Sequence, residues 1–178
     1  MDFKIVSQKK VFKAELFEVE ETKIQLNKNI KTYDDIYRKP TVSVFPLTNL
    51  YEIYLISEYR RLHKKNVLAA VAGFVNEGES TLNAARRELK EETGIIAAHW
   101  EEIARIEMAA SVIKATSHLF LAKGLELEKP ALEEDEKITL IKLPLSKAVE
   151  KVMLGEINIS PAVIGILLID KLKREKKI

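Results

Sequence analysis

Apolar positions along the chain change period several times, and each change marks an expected element. From Val11 to Leu26 the alternation is imperfect, with Phe12, Ala14 and Leu16 on one parity, Phe17 and Val19 on the other, then Ile24 and Leu26. Two short antiparallel strands joined by a bulge or turn fit that pattern. They carry little apolar area, so such a ribbon should pack on a larger domain or on a second subunit. Asn27 to Lys39 is polar and ends at Pro40, where a boundary is expected. Beyond it, Thr41 to Thr48, Tyr51 to Ser57 and Val67 to Phe74 are rich in Val, Ile, Leu and aromatics and read as buried sheet strands. Ile103 to Met108, His118 to Ala122 (closed by Gly124) and Ile138 to Leu143 are further strands.

Helical spacing takes over at three places. Thr81 to Thr93 lies between a good N-cap, Ser80, and a glycine suited to a left-handed C-cap, Gly94; Leu82, Ala85 and Leu89 form its apolar stripe, with Ala84 beside them. Ser146 is the expected cap of a second helix, with Val149, Val152 and Met153 on one face and Gly155 closing it. Ser160 followed by Pro161 opens a third, with Ile164, Leu167, Leu168 and Leu172 as its buried stripe.

Composition narrows the class. A chain of 178 residues, 47% hydrophobic and 31% charged, is long enough for one substantial core, so one main domain with an appendage is expected. A net charge of +2 argues for neither a nucleic-acid nor a membrane partner, and the absence of cysteine excludes disulfides, thiolate metal sites and cysteine nucleophiles. No apolar run reaches the roughly 18 residues of a membrane span, and the Met1 end lacks a signal-peptide core, so a cytoplasmic protein is expected. The basic residues from Lys171 to Lys177 read as complements to the C-terminal dipole of the last helix.

The chemistry concentrates on the first helix. Glu88, Glu91 and Glu92 stand at i, i+3 and i+4, so three carboxylates crowd one patch, at a cost of roughly 0.2 to 0.5 kcal/mol per like-charge pair unless something neutralises them. Arg86, Arg87 and Lys90 could balance a plain solvated face; a hard divalent cation would do the same with a catalytic purpose. The wider spacing decides between them: Gly73, five residues, Glu79, seven residues, Arg87-Glu88, Leu89, one residue, Glu91-Glu92, one residue, Gly94, Ile95.

That spacing resembles the Nudix box at every defined position. More narrowly, the chain resembles the ADP-ribose pyrophosphatase and nucleoside-diphosphate-sugar branch of that superfamily. The likeness rests on the residues before Lys39, Tyr59-Arg60 ahead of the box, Ala72-Gly73 opening it, the acidic run Glu133 to Glu136, and Gly155-Glu156-Ile157 before the last helix. The resemblance implies an α+β Nudix fold, an α/β/α sandwich around a mixed β-sheet. Residues 1–39 would be a small antiparallel β appendage for dimerisation and base contact, residues 40–178 the hydrolase domain, and the assembly a homodimer whose N-terminal strands reach across the partner.

The resemblance also implies roles. Glu88 and Glu92 would bind Mg2+ or Mn2+ directly, Glu91 directly or through water, with the Ala72 carbonyl a further ligand. Gly73, Glu79, Arg87 and Gly94 would hold the loop and helix in place. Glu134 would be the base, beside Glu91 and Glu92 as catalytic groups, and Glu136 an extra metal ligand. Tyr37, Arg38, Tyr59 and Arg60 are candidates for stacking on the base or holding phosphate. The reaction implied is hydrolysis of the diphosphate linkage of a nucleoside diphosphate joined to a sugar, ADP-ribose first among them. Alternatives are a house-cleaning nucleoside triphosphate pyrophosphatase and a non-catalytic nucleotide-sugar binding module.

Two departures from the branch pattern concern substrate preference and leave the metal residues untouched. Ala110-Ser111-Val112-Ile113 stands where a proline, often as Ser-Pro-Gly, is usual in ADP-ribose enzymes, and Ala70-Val71-Ala72-Gly73 replaces the Glu-x-Pro-Ala-Gly entry. His63, His99 and His118 are too scattered to form a metal set, and Trp100 reads as a packing residue.

Overall fold

The computed structural model describes residues 3–128 and 138–178. The chain divides into two compact units, Met1–Pro40 with Glu107–Thr116, and Thr41–Ile106 with Ser117–Ile178.

The second unit is built on strands β4 (Thr41–Pro46), β5 (Glu52–Arg60), β6 (Lys65–Ala69), β7 (Val71–Phe74), β8 (Ile95–Glu107), β10 (Thr116–Leu127) and β11 (Ile138–Pro144), with helices α1 (Thr81–Thr93), α2 (Leu145–Met153) and α3 (Ser160–Arg174). One mixed sheet runs β7-β4-β10-β8, with β4 and β10 parallel and β4 and β7 antiparallel; a smaller sheet runs β11-β5-β6. Successive strand residues point to opposite faces, and here both faces are covered. Val42 and Val44 of β4 and Phe120 and Ala122 of β10 pack with Ala84, Ala85 and Leu89 of α1. Phe45, Leu119 and Leu121, of the other parity, pack with Leu145 and Ala148 of α2 and Ala162, Ile166 and Ile169 of α3. A helix layer on each side of the sheet is the α/β/α sandwich of a Nudix fold, in the α+β class.

The first unit is a single antiparallel ribbon, β1 (Lys4–Lys13), β2 (Phe17–Leu26) and β3 (Asn29–Arg38), extended by a parallel pairing of β3 with the two-residue β9 (Ile113–Lys114). Three ten-residue strands therefore stand where two short ones were expected. Asn29–Arg38 gave no strand signal because alternation arises only when one face is buried, and none of its ten residues is. Register shifts at Val6 and Val11 are bulges on β1, and the change of parity between Leu16 and Phe17 falls at the turn between β1 and β2.

Five local expectations are corrected. Val67 to Phe74 is two strands in different sheets, parted at Ala70. Gly124 does not end its strand; it sits within β10 at φ +68, an irregularity that a residue without Cβ accommodates. Neither Ser146 nor Ser160 is a cap: α2 begins at Leu145, which is buried and donates its N–H to the Tyr51 carbonyl at 2.9 Å, and α3 is capped by Ile159. The buried face of α3 is Ala162, Gly165, Ile166 and Ile169, with Ile164 exposed. A Cβ at Gly165 would overlap the Phe45 ring, so the helix approaches the sheet on its smallest side chain and turns Ile164 outward. Met153, expected on the buried face of α2, is also exposed.

Candidate active site

The site grows from a strand, a loop and a helix of the second unit. β7 delivers Ala72 and Gly73, its backbone held by antiparallel pairing of Ala72 with Ser43 and Gly73 with Val42. The loop then turns through Gly78, at φ +77, where the Asn76 N–H donates to Glu79 Oε2 (3.1 Å) and the Glu79 N–H to the Asn76 carbonyl (3.1 Å). Ser80 caps α1, its hydroxyl accepting from the Asn83 N–H at 3.2 Å, worth about 1 kcal/mol. At the other end Gly94 adopts φ +69 and donates to the Lys90 carbonyl at 2.9 Å. The expected helix bounds and both caps are thus met.

Arg87 organises the carboxylates. Its Nε donates to Glu79 Oε1 at 3.0 Å and its Nη2 to Glu79 Oε2 at 3.1 Å, a bidentate fork. Nη2 also donates to the Phe74 carbonyl (2.9 Å), while Nη1 reaches Glu88 Oε1 (2.7 Å) and Glu91 Oε2 (3.1 Å). The Glu79 carboxyl is held below the usual carboxylate range, chiefly by its hydrogen bonds from Arg87, and those same bonds raise the Arg87 guanidinium. Phe74 and Asn76 enter this network through backbone groups, which no side-chain pattern could have signalled.

Two of the three helix carboxylates are sheltered from solvent. Glu92 is buried at 8% exposure and the Glu88 side chain is 13% exposed, whereas that of Glu91 is 45% exposed. A Cβ at Gly73 would overlap the Glu88 carboxylate, so the glycine makes the seat in which Glu88 rests. All these donors are hard oxygens, the chemistry that suits a divalent ion of the Mg2+ or Mn2+ kind. As placed, no three His, Asp or Glu side chains among the described residues converge on one point. Glu134 and Glu136 lie outside the described residues.

Tyr59 and Arg60 end β5, Tyr59 exposed and Arg60 paired with Glu58 at 2.7 Å. Tyr37 and Arg38 end β3, in the first unit. Within that unit, register pairing of Tyr37 with Lys114 brings the strand against the segment that departs from the branch pattern. Together they line a cleft of about 310 Å3, with Asp35, Tyr37, Glu107, Ser111 and Lys114 on its walls and the Lys114 ammonium 5.9 Å from the Tyr37 ring centre. His118 Nδ1 donates to Glu102 Oε1 at 2.7 Å, and Trp100 packs edge-on to Phe120, so both have structural partners.

The chain matches the NUDIX domain over residues 37–158, more than two thirds of its length, and therefore belongs to the Nudix family. It is a Nudix hydrolase of the pyrophosphohydrolase class, similar to the ADP-ribose and ADP-compound hydrolases. It is 28% identical over 166 residues to the methanol dehydrogenase activator of Bacillus methanolicus, with 92% of this chain and 90% of that protein covered. It is 24% identical over 160 residues to the ADP-ribose pyrophosphatase of Bacillus subtilis, covering 88% and 86%. A crystal structure of an ADP compounds hydrolase superposes with a TM-score of 0.87 at 24% identity, across 100% of this chain and 98% of that one, which shows the shared fold. No helix among the described residues is long and apolar enough to cross a membrane.

Proposed function

We propose that this protein hydrolyses the diphosphate linkage of a nucleoside diphosphate joined to a sugar, with ADP-ribose giving AMP and ribose 5-phosphate. The observation that carries the reading is the pair of sheltered carboxylates, Glu88 and Glu92, set beside the Gly73 seat and the Arg87 fork. Glu88, Glu91, Glu92 and the Ala72 carbonyl would hold Mg2+ or Mn2+. A divalent ion supplies charge neutralisation at the diphosphate and a lower pKa for bound water. The chain's own part is to hold the ion and the diphosphate and to take the proton of the attacking water, a role we give to Glu134, with Glu136 as a further ligand. Gly73, Glu79, Arg87 and Gly94 keep loop and helix in register. Tyr59 and Arg60 are the phosphate and base contacts proposed on the hydrolase domain, residues 40–178. Tyr37 and Arg38 are those proposed on the appendage, residues 1–39, where the Tyr37 cleft offers an aromatic face, a cation and two carboxylates.

A cytoplasmic homodimer is part of the proposal. Ile5, Val6, Val11, Phe12 and Ile30 on the N-terminal strands, and Phe3 just ahead of them, are each about half exposed, more apolar surface than a monomer ordinarily leaves in one region. Sedimentation at dilute and concentrated protein tests it, and a monomer at both ends it.

The decisive assay incubates the protein and Mg2+ with ADP-ribose, GDP-mannose, UDP-glucose and nucleoside triphosphates. Release of AMP and ribose phosphate supports the proposal. Pyrophosphate released from triphosphates alone points to a house-cleaning enzyme, and tight binding without turnover to a sensor module. The same exposed strands and the likeness to the methanol dehydrogenase activator support a second reading, docking to an alcohol dehydrogenase whose rate it raises. An unchanged dehydrogenase rate on adding the protein removes it.

A further inference from the structure

Arg87 has five N–H donors, and each has an acceptor. The two edges of the guanidinium serve different groups. Nε and Nη2 are committed to Glu79 and the Phe74 carbonyl, which fix the loop and strand ahead of the helix. Nη1 is shared between Glu88 Oε1 and Glu91 Oε2, two of the carboxylates to which the reading above gives the ion. We propose that Arg87 is a resident counter-ion of the site: its Nη1 end holds Glu88 and Glu91 in the metal-free protein and gives them up when a divalent ion binds, while its other edge stays on Glu79. The inference rests on the metal reading above.

Three features support it. The Glu88 carboxylate lies between the Gly73 backbone and Nη1, so its described surroundings press it toward the guanidinium. Glu88 and Glu91 both turn an oxygen to that one nitrogen, and among the described residues no three acidic or histidine side chains converge on a single point. An ion that draws both carboxylates to itself competes with Nη1 for these oxygens. The bidentate bond to Glu79 lets this happen locally, because a planar fork anchored along one edge can lose partners at the far nitrogen without the side chain swinging away. Loop and helix then stay in register with or without the ion, and the affinity for it is lower than the same carboxylates would show without the arginine.

Arginine side-chain NMR on the isotope-labelled, intact protein tests this, with Mg2+ titrated to calorimetric saturation. The Arg87 signals are assigned by their loss in Arg87→Lys, or through the Nε correlation should that variant not fold. The Nη1 protons are expected to shift and to exchange with water roughly tenfold faster or more once bonds to charged acceptors are lost. The Nε proton, donated to Glu79, is expected to keep its shift. Mg2+ binding with Nη1 unmoved, or with Nε and Nη1 released together, overturns the inference alone. Absence of any calorimetric binding overturns it along with the metal reading.

Discussion

The two units treat apolar side chains in opposite ways. The second covers both faces of its sheet, so that Phe45, Leu47, Ile53, Leu55, Leu119 and Leu121 are almost wholly removed from water. The first has one layer, all ten residues of β1 are exposed, and Phe3, Phe12 and Ile30 remain 57%, 52% and 60% accessible. The difference separates rigidity from availability. Carboxylates held within ångströms of one another need a scaffold whose packing leaves no slack, and α1 has it through Ala84, Ala85 and Leu89. A thin ribbon gains little from folding by itself and leaves its apolar surface for another partner.

The sharpest way to break this contrast is to remove one ring from each unit. Phe45→Ala should cost about 3 to 5 kcal/mol in urea unfolding, since the ring is fully buried and Gly165 lies against it. Phe12→Ala, at the other extreme, should change the stability of the isolated chain by no more than about 0.5 kcal/mol. Equal losses would mean the N-terminal sheet is as well packed as the core.

Between these limits lie changes that separate scaffold from chemistry. Glu92→Gln should lower kcat by more than about 100-fold with little change in the melting temperature, beyond what loss of a supporting partner causes. Retained full activity would sink the metal assignment. Gly73→Ala should fold to within about 1 kcal/mol of the parent, because its φ is ordinary and the obstructing atoms are the end of a flexible side chain. Turnover should nonetheless fall, as the Glu88 carboxylate loses its seat; a variant with normal turnover would show that the seat is dispensable.

The smallest effect is on acid stability. The Glu79 carboxyl is depressed below its ordinary value of 4.5, mainly by the Arg87 hydrogen bonds. Its contribution is therefore fully present above that value and disappears as the pH falls through the lower folded one. Thermal melts of the parent and of Glu79→Gln should differ at neutral pH and converge in acid; a gap independent of pH would place the effect in packing.

Legibility in the sequence followed the reach of the interactions. Helix α1 was readable to its ends because Ser80 to Asn83 and Gly94 to Lys90 are bonds within one turn of chain. The crowding of Glu88, Glu91 and Glu92 was readable too, since helical period alone puts them at i, i+3 and i+4. β4 and β10 announced themselves as apolar runs, whereas β3, with no buried face, and the Ile95 to Glu102 part of β8, with only Ile95 buried, did not. Likewise the cap of α2 lies two residues, and that of α3 one residue, ahead of the expected serine; tertiary contacts of Leu145, and not a serine hydroxyl, set where α2 begins.

What the amino-acid order determined by itself is therefore the family and the helix that carries the carboxylates. Only the tertiary structure decided that Glu92 is sheltered and Glu91 is not, that Arg87 reaches the Phe74 carbonyl, that α3 turns Gly165 to Phe45, and that Tyr37 meets Lys114. The physical reason is separation along the chain. A contact within a turn is written into neighbouring residues, while one that closes a long loop depends on the packing of everything between its ends.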